Sequence, residues 1–342
     1  MIIKSSDIPQ EQITPIIALF SSGQIQEALD AVEALIKDYP NESLLFNISG
    51  ACFAGLGQFD AAVKDYKKAI AIKPDYSKAH FNLGVTLQEL GQLDVAFKSY
   101  EKALVIEPNY AEAHNNLGIA LKDLGKFDAA VKSFKKAITI KPDYVEAHYS
   151  LGILLQDLGQ LDDAVKSYEA VLVIRPDFAK IHNNLGVIFN KLNQNDDAVK
   201  ILNKALAIKP DFADASNNLG IALKNLGQVD AAVKSYKKAL AIKPNYAEAH
   251  NNLGNALKSL DLLDDALVCY EKAIALKMDF AEAYQNYGNA LYHFKRFDEA
   301  LVSYESAIDL KPDLNFLLGN LLHTKMRLSI WDDLPNRLNE LT

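Results

Sequence analysis

The sequence predicts an all-α protein built from stacked pairs of helices, an α-solenoid. Proline, glycine and alanine each recur every 34 residues, with Met278 at the one gap in the proline row. A period of this length indicates a repeat array in which each unit buries its apolar face against its neighbours. The three rows are Pro40, Pro74, Pro108, Pro142, Pro176, Pro210, Pro244 and Pro312; Gly50, Gly84, Gly118, Gly152, Gly186, Gly220, Gly254 and Gly288; and Ala28, Ala62, Ala96, Ala130, Ala164, Ala198, Ala232, Ala266 and Ala300.

The period divides the chain into nine expected units, each reading helix, tight turn, helix. A leader, residues 1–6, precedes them, and a tail, residues 313–342, is expected to form capping or linker helices. The units are residues 7–40, 41–74, 75–108, 109–142, 143–176, 177–210, 211–244, 245–278 and 279–312.

Residues at the helix ends predict the caps and turns. An Asp or Asn follows each proline, and we expect it to accept hydrogen bonds from the first turn of the next helix. Glycine or Asn ends that helix, because both tolerate the left-handed conformation. Asp261 and Lys295 hold this place in units eight and nine, so we expect strained or different turns there. The expected caps are Asp75, Asn109, Asp143, Asp177, Asp211, Asn245 and Asp279.

Composition restricts the partners. The apolar content is 49%, which argues against disorder, and the net charge is −8. An acidic chain of this kind is not expected to bind nucleic acid or anionic membranes in general. Cys52 and Cys269 lie several units apart and are not expected to pair, so we expect a reducing, cytoplasmic setting. Neither a signal peptide nor a membrane-spanning run is expected.

The repeated residues resemble the tetratricopeptide repeat (TPR) family. The match is clearest in unit three and recurs in nearly every unit, with apolar departures at Val171, Leu202 and Met278. The resemblance implies a right-handed superhelix whose first helices line the concave face. The matching residues in unit three are Leu83, Gly84, Leu87, Ala96, Tyr100, Ala103 and Pro108.

A row of histidines invites a metal interpretation that spacing disfavours. Neighbouring helices pack about 8–10 Å apart, whereas a zinc ligand lies about 2 Å from its ion. Successive units therefore cannot share one ion, and we expect half-buried packing rings and no metal. The row is His80, His114, His148, His182 and His250.

No motif for catalysis is found. The chain lacks a nucleophile elbow, a phosphate loop, a zinc spacing and a dinucleotide fingerprint. Its carboxylates fall at helix starts, where the helix dipole explains them. We expect no catalytic residues and no cofactor.

Asparagine recurs in the middle of the first helices, where helix propensity does not favour it. One interpretation is structural, since each Asn could bond a backbone group of the neighbouring helix or be an inherited repeat residue. The other is a ladder for a ligand. The row is Asn82, Asn116, Asn184, Asn218, Asn252, Asn286 and Asn320, with Asn115, Asn183, Asn217 and Asn251 beside it.

The ladder interpretation predicts an extended polypeptide as ligand. A side-chain amide both donates and accepts, so it can pair with a peptide backbone whatever its side chains. Rungs about 10 Å apart match about three extended residues, so the bound segment would span about twenty residues or more. Ile48 and Ser150 interrupt the ladder.

This ladder, with its NNLG form, resembles the repeat region of O-linked N-acetylglucosamine transferases and SPINDLY-like relatives. The tail resembles their joining segment at Asn320, His323, Met326, Trp331 and Asp333. Trp331 is alternatively a cap on the last repeat. The resemblance implies that catalytic residues would lie beyond this chain. The Lys of the carboxylate-clamp TPR proteins is missing beside the ladder, so that clamp is not expected.

We therefore predict a protein-binding module, the substrate-recruiting region of a glycosyltransferase-like protein. The alternative is a free-standing scaffold that joins partner proteins, and a homodimer through a repeat surface is left open. Units six and seven each carry five Lys and three Asp. These lysines indicate either an acidic partner segment or a solvated helix face.

Overall fold

The computed structural model describes residues 8–314 and 316–330, and within these residues it contains 19 α-helices and no strand. The all-α repeat class is therefore confirmed. The helices are α1 (Gln10–Ser21), α2 (Ile25–Asp38), α3 (Ser43–Gly55), α4 (Phe59–Ile72), α5 (Ser77–Glu89), α6 (Leu93–Ile106), α7 (Ala111–Asp123), α8 (Phe127–Ile140), α9 (Val145–Asp157), α10 (Leu161–Ile174), α11 (Ala179–Lys191), α12 (Asn195–Ile208), α13 (Ala213–Asn225), α14 (Val229–Ile242), α15 (Ala247–Ser259), α16 (Leu263–Leu276), α17 (Ala281–His293), α18 (Phe297–Leu310) and α19 (Leu317–Arg327).

The helices up to α18 follow one another as antiparallel pairs, and we call the first of each pair the A helix and the second the B helix. In α8 the buried residues Ala130, Phe134 and Ala137 recur at helical spacing, which gives the helix one apolar face. Asp128 lies in its first turn, where the dipole favours a carboxylate. The periodic sequence thus forms one helix pair after another.

The structure divides into two compact parts, each of which contains several of the nine sequence repeats. From here on we call these two parts unit 1 (Met1–Arg175) and unit 2 (Pro176–Thr342). In unit 1 each A helix from α3 to α9 contacts the next A helix, and in unit 2 the same holds from α11 to α17, which in turn contacts α19. The A helices therefore form a continuous layer within each unit.

A glycine–aromatic contact fixes the distance between the helices of a pair. In the pair α5–α6, a Cβ added to Gly84 would lie 2.7 Å from Cε1 of Tyr100. Tyr100 and Ala96 are both fully buried, and burying a large side chain stabilises a fold by about 1.5–3 kcal/mol. Close packing of the two helices thus explains both the glycine row and the alanine row.

The predicted Asp and Asn caps are wrong. Helix α7 begins at Ala111, its cap position is Tyr110, and no side chain caps it. The backbone N–H of Tyr110 donates instead to the carbonyl of Glu107 at 3.2 Å, which places Pro108 and Asn109 at the centre of a β-turn. Asn109 is therefore a turn residue. Likewise an aromatic residue holds the cap position in the A helices from α5 to α17, without a side-chain cap bond: Tyr76, Tyr110, Tyr144, Phe178, Phe212, Tyr246 and Phe280.

The turns between paired helices take one conformation whatever residue they carry. Gly91 has φ +72°, and the non-glycine residues Asn193, Asp261 and Lys295 have φ values of 57°, 61° and 60°. Asp261 and Lys295 therefore adopt the glycine conformation, so these turns do not differ in form from the others. The expected strain falls on Lys295, because L-residues other than Asn and Asp disfavour this conformation.

Beyond the helix pairs, α19 continues the layer of A helices in unit 2. The expected tail residues Trp331 and Asp333, and the expected leader, residues 1–6, lie outside the described residues. No helix among residues 8–314 and 316–330 is both long and apolar enough to cross a membrane.

Candidate functional site

Asparagine side chains of successive A helices bond to each other across the repeat interface. Where two Asn residues are adjacent, the first is buried and we call it the inner asparagine, while the second is half-buried and we call it the outer asparagine. The inner residues Asn115, Asn183, Asn217 and Asn251 are 4–8% exposed. This difference in burial gives the two residues different roles.

In unit 2 three such bonds follow one another. Three asparagines at the outer position donate from Nδ2 to Oδ1 of the inner asparagine of the preceding repeat; in α17 this position is Asn286, although Gln285 precedes it. The pairs are Asn218 to Asn183 at 2.9 Å, Asn252 to Asn217 at 3.0 Å, and Asn286 to Asn251 at 2.9 Å. The asparagines therefore clip neighbouring A helices together, through side chains rather than the backbone groups that the structural interpretation invoked.

In unit 1 this series is broken. Asn82 donates to Asn47 at 3.0 Å, but Ser150 stands where the next donor to Asn115 would be. Oδ1 of Asn115 is buried and accepts no hydrogen bond within the described residues, while its Nδ2 donates to Oδ1 of Asn116 at 3.2 Å. The expected interruption at Ser150 thus leaves a buried acceptor unsatisfied.

The outer asparagines keep hydrogen-bonding capacity after the clip is formed. In Asn82, Asn218, Asn252 and Asn286, no described residue donates to Oδ1, and one hydrogen of Nδ2 remains. These residues are half-buried rather than buried, so part of each remains exposed. Each clip also fixes the orientation of the remaining donor and acceptor.

Three expected members of the row depart from this pattern. Asn116 is bonded to Asn115, as described above, and Asn184 lies half-buried on α11. Asn320 donates to Oδ1 of Asn289 at 2.9 Å, a residue 31 positions back rather than 35. The tail asparagine is therefore out of register with the ladder.

The histidine row ties each A helix to the loop before it. Nε2 of each ring lies 2.9–3.0 Å from the carbonyl oxygen of the proline six residues earlier. Within the described residues, no three His, Cys, Asp or Glu side chains cluster as metal ligands. The five rings are His80, His114, His148, His182 and His250.

The two thiols are buried and unpaired. Cys52 is fully buried and Cys269 is 8% exposed. Burial raises the pKa of the Cys52 thiol to about 11 and raises that of Cys269. Because the thiolate is the nucleophilic form, neither cysteine is placed for reactivity.

A group of lysines at the ends of the A helices of unit 2 was not singled out from the sequence. Lys224 and Lys258 occupy equivalent half-buried positions one repeat apart. Burial is the main reason that the pKa of Lys224 lies below its usual value, and the charge of Lys258 adds to the effect. Their 34-residue spacing within the lysine-rich repeats was the signal that could have identified them.

Comparisons with known proteins give short sequence matches. The peroxisomal targeting signal receptor of Candida glabrata is 27% identical over 78 residues, which cover 23% of this chain and 13% of that protein. The receptor of Saccharomyces cerevisiae is 26% identical over 78 residues with the same coverage. The chain thus matches only about an eighth of the length of these curated relatives.

Solved structures agree with the fold at low sequence identity. A tetratricopeptide repeat protein from Parabacteroides merdae has a TM-score of 0.60 at 17% identity, covering 72% of this chain and 98% of that one. The APC/C hetero-tetramer Cut9–Hcn1 gives 0.58 at 18% identity, covering 87% and 58%. Such likeness establishes the architecture and leaves function to the residues of the site.

Family models identify the repeat directly. The model described as TPR repeat matches residues 53–91, 87–125, 120–159, 154–193, 188–227 and 223–261, and tetratricopeptide repeat models match residues 247–277 and 281–314. These ranges follow one another from the second helix pair to the end of α18. The chain therefore belongs to the tetratricopeptide repeat family.

Proposed function

We propose that this chain is a protein-interaction module that binds an extended polypeptide along the A helices of unit 2. The observation that carries the proposal is the series of three consecutive asparagine clips at Asn218, Asn252 and Asn286. Each clip leaves an oriented carbonyl oxygen and one amide hydrogen at a half-buried position.

These unused groups suit a peptide backbone. An extended chain presents alternating N–H and C=O groups, and an amide side chain can pair with both. Because the clip fixes the amide before binding, less side-chain entropy is lost when a ligand is bound. Rungs one helix spacing apart, about 10 Å, match about three extended residues.

Membership of the TPR family and the short match to peroxisomal targeting signal receptors support a polypeptide ligand. The latter are, by name, receptors for a peroxisomal targeting signal. Recognition through the backbone implies that ligands of unrelated sequence bind, provided that they are extended. The proposal therefore concerns the conformation of the ligand more than its motif.

The experiment begins with a selection of 20-residue random peptides on the full chain. A bound peptide is then resynthesised with single N-methyl groups on successive backbone amides. We expect several N-methylated forms to bind at least about tenfold more weakly, since each loses one hydrogen bond and adds a clash. Alanine substitution of most of its side chains is expected to change affinity less.

Serine substitutions test the protein side, because Ser150 shows that the scaffold accepts serine at the outer position. We expect the triple variant N218S, N252S, N286S to lose about 3 kcal/mol of binding, about 100-fold in Kd, at about 1 kcal/mol for each rung. The control is Asn225→Ser, which removes only an exposed hydrogen bond to Asn195.

Two results would count against the proposal. Affinity of the folded triple variant equal to wild type would remove the ladder as the binding surface. Tolerance of every N-methyl group would show that the peptide backbone is not what is recognised. Circular dichroism of each variant separates these results from loss of folding.

A glycosyltransferase connection remains a prediction from the NNLG repeats and the tail. In that version the chain recruits substrates for catalytic residues outside it and has no catalytic site of its own. The free-standing scaffold is the second candidate. Incubating this chain with a nucleotide sugar and an acceptor peptide tests the absence of catalysis, and any turnover would refute it.

A homodimer through a repeat surface and a cytoplasmic location also remain predictions. Sedimentation of the purified chain over a range of concentrations tests the first. Imaging of the tagged protein in its native cell tests the second.

A further inference from the structure

A small polar pocket lies at the C-terminal end of unit 2, between α15, α17, α18 and α19. Its volume is about 190 Å³, and we call it the C-terminal pocket. A space of this size fits a single charged group, whereas pockets for whole small molecules are about 300–1,000 Å³. Its polar lining includes Lys258, Asn289, Tyr292, His293, Asn320 and His323.

Hydrogen bonds among the lining residues fix one wall of the pocket. Oδ1 of Asn289 accepts from both Nδ2 of Asn320 and the hydroxyl of Tyr304, each at 2.9 Å. The tail helix α19 is thereby attached to α17 and α18. This explains why Asn320 departs from the register of the ladder.

A second set of bonds orients His323. Nε of Arg327 donates to the hydroxyl of Tyr292 at 3.3 Å, and this hydroxyl lies 3.1 Å from Nδ1 of His323. The Tyr292 hydroxyl can donate to Nδ1 or accept from it, and the direction depends on the tautomer of the ring. An anion beside Nε2 favours the tautomer that carries the hydrogen there, and in that form His323 donates through Nε2.

The positive charge of Lys258 in this pocket is not balanced by a carboxylate of the lining. Within the described residues, no Asp or Glu lines the pocket, and Lys258 forms no hydrogen bond or ion pair with a described residue. Lys224 holds the equivalent position one repeat earlier; burial lowers its pKa, and the charge of Lys258 adds to this effect. Lys325, in the same region, is instead paired with Glu305 at 3.5 Å.

We propose that the C-terminal pocket binds one anionic group, a carboxylate or a phosphate, carried by the polypeptide that lies on the asparagine ladder. Lys258 supplies the charge, and His323 with His293 supplies ring N–H donors. The location of the polypeptide rests on the proposed function, but binding of the anion does not. An anchored anion would fix the register of a ligand that backbone pairing leaves free to slide.

The first test uses inorganic phosphate and acetate as probes on the full chain, with sodium chloride holding the ionic strength constant. Ring C–H resonances of the histidines are followed by NMR. We expect saturable shifts for His293 and His323 and none for His80 and His148, which lie in unit 1. Absence of a saturable shift with both probes would overturn the proposal, whatever the peptide experiments give.

The matched variant is Lys258→Gln, because Gln88 and Gln156 hold the equivalent position in unit 1 and show that the fold accepts glutamine. We expect phosphate to bind at least about tenfold more weakly, since a charged hydrogen bond contributes about 1.5–3 kcal/mol. Lys122→Gln in unit 1 is the control and should leave the shifts unchanged. Equal loss in both variants would mean an adventitious ion only and would overturn the pocket.

Peptide arms separate the sources of the anion. A peptide selected on the chain is compared with its C-terminal amide, with each Glu or Asp replaced by the corresponding amide, and with one Ser phosphorylated. We expect one of these changes to alter affinity about tenfold in wild type and not in Lys258→Gln. If none does, while phosphate binds the pocket, the pocket is not used by the polypeptide and that part of the proposal falls.

Discussion

The A helices of the two units share one scaffold but present different side chains. In unit 1 the last two residues of α5, α7 and α9 include three carboxylates and one lysine; in α11, α13, α15 and α17 of unit 2 they include three lysines and no carboxylate. The residues are Gln88, Glu89, Lys122, Asp123, Gln156 and Asp157 in unit 1, and Asn190, Lys191, Lys224, Asn225, Lys258, Ser259, Tyr292 and His293 in unit 2.

The hydrogen bonds between asparagines also differ between the two units. Unit 1 has the single clip Asn82–Asn47 and a buried acceptor on Asn115, whereas unit 2 has three clips in series. A repeat array allows this, because its stability comes from contacts within and between adjacent repeats. The surface residues of one unit can therefore differ from those of the other while both units keep the same helix packing.

The largest expected effect tests whether the scaffold is indeed common to both units. A Cβ on Gly118 of unit 1 would lie 2.7 Å from the Phe134 ring, and one on Gly220 of unit 2 would lie 2.5 Å from the Tyr236 ring. We expect Gly118→Ala and Gly220→Ala each to destabilise the chain by about 1–3 kcal/mol through overpacking. Guanidinium unfolding followed by circular dichroism measures this.

The control for these variants is Gly319→Ala. This glycine lies in α19, and a Cβ there would have no heavy atom within 4 Å. Alanine is the better helix former by about 1 kcal/mol, so this change should be neutral or stabilising. A large loss in one unit and none in the other would show that the two scaffolds differ.

The next effect concerns the clips. Asn252→Ser removes the donor to Asn217, whose side chain is only 4% exposed. We expect a loss of about 1–3 kcal/mol, because a buried acceptor is left unsatisfied. The reverse change in unit 1, Ser150→Asn, supplies the missing donor to Asn115 and should stabilise by about 1 kcal/mol.

Hydrogen exchange of the A helices locates both changes. Protection should fall in α13 and α15 for Asn252→Ser and rise in α7 and α9 for Ser150→Asn. If both substitutions have the same sign, the clips do not distinguish the units.

Local rules predicted the repeat and its helices, since period, glycine turns and apolar faces depend on residues close in sequence. The Asp and Asn caps failed because Pro108 and Asn109 fit a β-turn better than a helix start. Asp and Asn favour both turns and helix N-caps, and the sequence interpretation assigned them to the cap instead of the turn.

The site was predicted only in part. The asparagine row was visible, but its bonding partner lies 35 residues back and depends on how one repeat stacks on the next. The C-terminal pocket depends on α19 crossing α17, where His323 meets Tyr292. The 34-residue period of the sequence does not predict that contact.

The turns give a smaller difference between the units. The turns of unit 1 carry Gly23, Gly57, Gly91, Gly125 and Gly159, whereas in unit 2 Asp261 and Lys295 take a left-handed conformation at φ 61° and 60°. We expect Lys295→Gly to stabilise the chain by about 1 kcal/mol, because glycine adopts this conformation without the clash of a Cβ. Thermal unfolding measures the gain, and Lys311→Gly serves as a control because Lys311 has φ −154°.

Asp261→Gly should give a smaller gain, since a short polar side chain tolerates this conformation better than lysine does. A gain for Lys311→Gly equal to that for Lys295→Gly would refute the conformational explanation.

The smallest effect is on pH dependence and contrasts His114 of unit 1 with Tyr284, which holds the same place in α17 of unit 2. The pKa of His114 is lowered from 6.5, mainly because burial desolvates the charged ring; the bond to the Pro108 carbonyl opposes this, and the charge of Lys136 adds to it. The unfolded chain therefore takes up this proton at a higher pH than the folded chain does. Folding should weaken as pH falls below about 6.5.

Two variants isolate this contribution, because neither titrates in that range. His114→Gln keeps a donor for the Pro108 carbonyl, and His114→Tyr copies the residue found in α17 of unit 2. We expect both to flatten the fall in melting temperature between pH 7 and pH 5 relative to wild type. Since the other histidines are retained, we expect a smaller slope of melting temperature against pH and not a flat line. Parallel plots of melting temperature against pH for wild type and both variants would show that the protonation of His114 does not affect stability.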